Sequence, residues 1–221
     1  MGLRCCPVSL TERAPLNREK VAHAAVELLD EEGPLALSMR KLGARLGVEA
    51  MSLYNHVKNK DDLLTAAADV LYAEILHGFV PDPDRPFETD TEDLARRVRC
   101  TVLAHPGAST LVLDRPVQGI VGVVFLGRCF EVFGKVAHNA DEAVLAFSSS
   151  ASMITGALRH EALVTAAMAS GSPSVEEVAG EPESVAELKT ATRACSAEER
   201  FDAAIGVLVS GLLHRFGADQ A

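Results

Sequence analysis

Tryptophan is absent from this 221-residue chain, and aromatic residues make up only 5% of it. The core must therefore be built from Leu, Val, Ala and Ile. That favours helices over a β-sandwich, whose strands draw on aromatic and β-branched residues. No stretch alternates apolar and polar residues with the period of a strand. No apolar run reaches the length of a membrane span, and the first ten residues lack the hydrophobic stretch of a secretory signal. Cysteine is sparse and odd in number, at Cys5, Cys6, Cys100, Cys129 and Cys195, with no CxxC and no Cys/His ligand spacing. Reduced thiols in a cytoplasmic protein are expected, with no metal, no cofactor and no membrane partner. HExxH, P-loop and GxSxG signatures are missing as well, so no catalytic residue is assigned and a helical enzyme is the weakest rival reading.

A net charge of −10 argues against nucleic acid when read over the whole chain, but the charge is unevenly spread. Residues 38–60 carry Arg40, Lys41, Arg45, Lys58 and Lys60 against Glu49 alone, whereas residues 61–221 carry 12 basic and 24 acidic side chains. A short basic surface on an acidic body suits a protein that touches DNA at one place and repels it elsewhere.

Helical spacing and cap residues predict an all-α chain of about nine or ten helices. Residues 1–15 read as a disordered tail. Asn17 caps a first helix with Val21, Ala24, Ala25, Leu28 and Leu29 on one face, and Gly33-Pro34 stops it. Ser38 caps a short second helix ending at Gly47, and a third runs from about Glu49 to Asn55. A fourth starts at Asn59 or Lys60 and continues to about His77 with Leu63, Leu64, Ala67, Val70, Leu71 and Leu76 at helical spacing. A fifth fits Thr89–Ala104. Arg115-Pro116 opens another to about Val136, since Pro is tolerated in a first turn. Asp141 begins a long helix to about Met168, Ser170–Pro182 is a loop, and helices near Val185–Ala194 and Ser196–Phe216 complete the chain. The predicted domains are a helix-turn-helix unit over 16–62 and a ligand-binding and dimerisation domain over 63–221.

Residues 38–56 have the grammar of a helix-turn-helix. Two short helices crossing steeply need a small residue at the contact, and Gly43 sits there. They need a sharp turn, which Gly47 supplies, and apolar glue, which Leu42, Leu46, Val48 and Leu53 supply. The second of the pair then lies in the major groove. Arg40 can reach a guanine edge with its bidentate fork. Ser52, Tyr54 and His56 offer donors suited to phosphates, and Lys60 sits at a helix N-terminus that also favours an anion. Ala50 and Met51 either touch a thymine methyl or act as spacers.

The run from Leu16-Asn17-Arg18-Glu19-Lys20-Val21 through Leu53-Tyr54-Asn55-His56-Val57-Lys58-Asn59-Lys60 resembles the DNA-binding domain of the tetracycline-repressor family. The resemblance implies an N-terminal three-helix reader, a connecting fourth helix and an all-α ligand-binding dimerisation domain. It implies that Arg40 and Ser52 read bases while Tyr54, His56 and Lys60 clamp phosphates. The family's founding member carries Gln-Pro where this chain has Ala50-Met51, which implies a different operator. It carries Trp in place of Asn55, which weakens the case for a phosphate contact at Asn55.

Beyond residue 60, the resemblance continues through His105, Arg115-Pro116 and the Phe201–Leu212 helix. Leu111 and His160 stand where the founding member holds a drug-bound magnesium ion, and neither suits that ion, which wants oxygen ligands. An organic, largely apolar ligand is expected instead, with Leu76, His105, Leu111, Phe125, Arg128, Phe147, Met153 and His160 as candidate wall residues. Arg128 and His160 are the polar candidates, on the expectation that they fall in apolar surroundings. The stripe Phe201, Ile205, Leu208, Leu212 and Phe216, with the small residues Ala143, Ala146, Ser149, Ser150, Ser152 and Gly156, suits a homodimeric four-helix bundle. The expected function is a transcription regulator, a repressor released from a palindromic operator by a small ligand. A cysteine-based redox-sensing regulator is the alternative.

Overall fold

The computed structural model describes residues 15–169 and 194–217. These residues form an all-α fold of nine helices: α1 (Arg18–Glu32), α2 (Met39–Leu46), α3 (Ala50–Leu53), α4 (Lys60–Leu76), α5 (Phe87–Ala104), α6 (Thr110–Leu113), α7 (Ile120–Phe133), α8 (Ala140–Ala169) and α9 (Ala197–Phe216). Residues 1–14 of the expected tail, the whole predicted Ser170–Pro182 loop and all but Ala194 of the predicted 185–194 helix lie outside the described residues.

Capping chemistry sets most helix starts. Asn17 Oδ1 accepts from Lys20 N–H at 2.8 Å, Ser38 Oγ from Lys41 N–H at 3.3 Å and Asn59 Oδ1 from Asp62 N–H at 2.8 Å. Ser196 and Glu199 form a reciprocal capping box at the head of α9. Gly33 and Gly47 end α1 and α2 with φ of 83° and 68°, a region that favours glycine.

The chain divides into two compact units, one made of residues up to Arg85 with Arg96–Glu131, the other of Pro86–Ala95 with residues from Val132 onward. In the first unit, α1 packs on α2 and α4, α2 on α3, and α4 on α6. Its core is the predicted α1 face, Val21, Ala24, Ala25, Leu28 and Leu29, closed by Leu42, Leu53, Val57, Leu63, Leu71 and Ile75, all buried. Tyr72 is buried too and stacks on Phe125, ring centroids 4.9 Å apart. Leu64 and Leu76, expected on that α4 face, are only half-buried.

In the second unit α8 packs on α9. Phe133 lies between Phe87 and Phe147, with centroids 6.1 and 6.3 Å away. The fully buried Asp90 carboxylate accepts from Lys135 Nζ at 2.6 Å, so this buried charge has its partner.

Several helix boundaries differ from expectation: α5 opens at Phe87 rather than Thr89, and α7 ends at Phe133 rather than near Val136. The seventh helix opens at Ile120 rather than at Arg115-Pro116, because its cap comes from another helix. Asp69 of α4 accepts from the N–H groups of Ile120 and Gly122 at 3.2 and 2.9 Å, and Gly119 (φ 84°) makes the approach. The third helix ends at Leu53, and Tyr54–His56 continue as turn. Among the described residues no helix is long and apolar enough to cross a membrane.

Candidate nucleic-acid interface

The α2–α3 crossing rests on Gly43. A Cβ there would sit 2.9 Å from Val48 O and 3.1 Å from Ala50 N, so only hydrogen lets the two helices meet this closely. Gly43 O in turn accepts from Val48 N–H at 2.9 Å. Leu42 and Leu53 are fully buried beneath the crossing, while Leu46 and Val48 are half-buried at its edge.

This crossing leaves a defined set of side chains outward. Arg40, Met51, Tyr54, Asn55 and Lys60 are exposed, Met51 at 72% and Tyr54 at 44%, whereas Ala50, Ser52 and His56 are half-buried. An exposed Met and Tyr beside Arg and Lys match the mixed apolar and cationic surface that a groove and its phosphates require.

The basic charge of residues 38–60 is not all available to a partner. Arg45 is held by Glu31 at 2.6 and 2.7 Å and by Glu27 at 3.0 Å, and Lys41 is paired with Glu32 at 2.5 Å. All three acids belong to α1. Arg40 and Lys60 make no ion pair among the described residues, so the outward cationic surface is narrower than the charge count suggests.

Two positioning residues went unrecognised in the sequence. Arg18 on α1 grips Asp62 with both guanidinium nitrogens, at 2.9 and 2.6 Å, and donates to His56 O at 3.1 Å. Asp62 also accepts from Lys58 N–H at 2.8 Å. The Arg18 hydrogen bond, aided by that amide, holds the Asp62 carboxyl down at about 2. Together these bonds fix the turn that carries His56 and Lys60. The available signal was the Asn59-x-x-Asp62 cap pattern; a partner 44 residues away has no local mark.

The candidate ligand residues divide between the units. In the first, Leu111 and Phe125 are buried and Leu76 is half-buried. His105 is engaged by carboxylates of its own chain, Nδ1 to Asp30 at 2.6 Å and Nε2 to Glu74 at 3.0 Å. Arg128 does not fall in apolar surroundings: it is half-exposed and donates to Glu131 one turn on, at 2.8 Å. In the second unit, Phe147 and Met153 are half-buried. His160 is exposed rather than in apolar surroundings, and it borders a cavity of about 130 Å³ together with Glu161, Arg200 and Phe201. That volume is well below the several hundred Å³ typical of a drug-sized pocket.

The supposed dimer stripe needs correction as well. Phe201, Ile205, Leu208, Leu212 and Phe216 are all buried within a single chain. The outward face of α9 carries Gly206, Val207, Ser210 and Gly211, and that of α8 carries Ser149, Ser152 and Gly156. Cys129 is buried, and burial pushes its thiol up to about 12, which leaves it protonated and a poor redox sensor at neutral pH. Cys100 and Cys195 are half-buried.

Residues 22–67 match the family model described as bacterial regulatory proteins, tetR family. Over 104 residues, 47% of the chain, the sequence is 40% identical to an HTH-type transcriptional regulator of Saccharopolyspora erythraea, covering 43% of that protein. Over the same length it is 56% identical to the class D tetracycline repressor protein of Escherichia coli, covering 48% of it. The chain thus spans about half the length of the curated relatives it matches. Among solved structures, apo ActR of Streptomyces coelicolor superimposes with a TM-score of 0.76 at 25% identity, covering 94% of this chain and 99% of ActR. The complex of ActR with actinorhodin gives 0.73 at 26% identity, covering 92% and 100%.

Proposed function

We propose that the chain, whose residues 22–67 match the tetR family of bacterial regulatory proteins and whose fold is similar to that of ActR, is a cytoplasmic homodimer that binds a palindromic DNA operator and represses from it until a small organic ligand releases it. The observation that carries this reading is the division of the basic residues. Lys41 and Arg45 are consumed inside the reader, while Arg40 and Lys60 stay outward around the exposed Met51 and Tyr54. Arg40 and Ser52 read bases, Tyr54, His56 and Lys60 hold phosphates, and Ala50, Met51 and Asn55 line the groove contact. Residues 16–62 are the DNA-binding domain, and residues 63–221 bind the ligand and the second subunit.

The second subunit docks on the outward faces of α8 and α9. The would-be Cβ atoms of Gly156, Gly206 and Gly211 have no neighbour within 4 Å. Small residues on an open helix face let a second helix pair approach closely. Ligand contacts are assigned to Leu76, Leu111 and Phe125 within the first unit. The capture of actinorhodin by ActR supports an organic effector over a metal-chelated one. A ligand that prefers the released state by a few kcal/mol draws the dimer off its operator.

Selection of binding sites from random duplex DNA by the full chain tests the reading. An enriched palindrome with half-sites about 10 base pairs apart is expected. Arg40→Ala should relax the preference at one position of each half-site by about 1–3 kcal/mol. Absence of any enriched sequence would overturn the proposal.

A further inference from the structure

The last turns of α1 are gripped from two directions. On one side Glu27 and Glu31 hold Arg45, and Glu32 holds Lys41, both on α2. On the other side Asp30 holds the turn between α5 and α6. Its Oδ1 accepts from the N–H groups of Gly107 and Ala108, both at 3.0 Å, and its Oδ2 accepts from His105 Nδ1 at 2.6 Å. His105 Nε2 continues the chain to Glu74 on α4 at 3.0 Å.

Carboxylates accept and do not donate, so a ring bonded to one at each nitrogen is an imidazolium. Glu74 first, then Asp30, lift its pKa to about 9. The charged groups facing it are Asp30 from α1 and Glu74 from α4. Arg97, on α5, is used on His77 O at 2.7 Å and over the Phe79 ring.

The joint also has no slack. A Cβ on Gly107 would lie 2.0 Å from Leu29 O and 2.7 Å from Asp30 Cα, so backbone rests on backbone there. A displacement of the 105–108 turn cannot be absorbed at that contact, and α1 must move with it. Since α1 holds α2 through Glu27, Glu31 and Glu32, the motion reaches the reader directly.

We propose that Asp30 is a positioning residue of the DNA reader, making the end of α1 a relay between the 105–108 turn and α2. The inference rests on the proposed DNA-binding function for its consequence, but the relay itself can be observed without DNA.

The test uses the full-length protein with 13C-labelled Met and Ala methyl groups. As pH rises from 7 to 9.5, the Met39 and Ala44 methyl signals of α2 should shift with the midpoint of the His105 ring, and they should stay flat in His105→Gln. Asp30→Asn keeps an acceptor for the two N–H groups but removes the charge facing His105. It should abolish the shift and weaken binding to the selected operator about fivefold. If the ring titrates while Met39 and Ala44 stay still, or if both methyls shift equally in His105→Gln, the relay is overturned. If the wild-type chain binds no DNA sequence while the methyls follow His105, the proposed function fails and the relay stands.

Discussion

At the residue scale, the charge on His105 is a stability element that pH can switch off. Its folded-state pKa, about 9, lies above the ordinary 6.5, because the Glu74 and Asp30 carboxylates both accept from the ring. A raised pKa means that the folded chain holds this proton more tightly than the unfolded one. The stabilisation is therefore complete below about pH 6.5 and is lost as pH rises through about 9. Thermal unfolding of the wild type and His105→Gln checks this: the gap between them should be widest near pH 6, on the order of 3 kcal/mol at most, and should close by pH 9.5. A gap that does not change with pH would mean that the ring contributes by packing alone. The same residue shows where sequence reading stops. In the sequence His105 is one of eight candidate ligand-wall residues, yet its partners lie 75 and 31 positions away, and nothing local marks Asp30 or Glu74 as those partners.

At the scale of elements, what is written locally was legible and what is supplied by another element was not. Asn17, Ser38, Asn59 and Ser196 mark helix starts because each cap is made within three residues of itself. Gly43 and Gly47 mark the reader because a close crossing and a left-handed turn admit few alternatives. The start of α7 was misplaced because its cap, Asp69, arrives from α4. The α9 stripe was recognisable as a buried face, but an amphipathic pattern does not say whether the same chain or a second copy covers it. The crossing itself yields a prediction. Gly43→Val forces side-chain carbons against Val48 O and Ala50 N, so α2 and α3 must separate. Operator affinity should fall more than about tenfold for a stability loss of about 1–3 kcal/mol. Paired binding and denaturant titrations would read both numbers. Unchanged affinity in a folded variant would remove Gly43 from the reader's geometry.

At the scale of the whole molecule, the proposed function calls for two copies, since one reader would address only half of a palindrome. The buried stripe of α9 is covered by its own chain, so the proposed interface uses the opposite face. Val207, 64% exposed, is the largest apolar side chain in the outward stripe Gly206, Val207, Ser210 and Gly211. Val207→Glu should leave the chain folded and convert dimers to monomers in sedimentation, because two like charges would meet at an isologous contact. A dimer unaffected by that change would place the interface elsewhere.

The central claim, that residues 38–60 hold operator DNA, is tested most directly by the salt dependence of operator binding for the wild type and Lys60→Ala, measured by fluorescence anisotropy. Each phosphate neutralised contributes about 0.9 to the slope of log affinity against log salt. The account predicts that Lys60→Ala lowers the slope by about 2 for a dimer, with sequence preference unchanged. A slope and an affinity both identical to the wild type would contradict it.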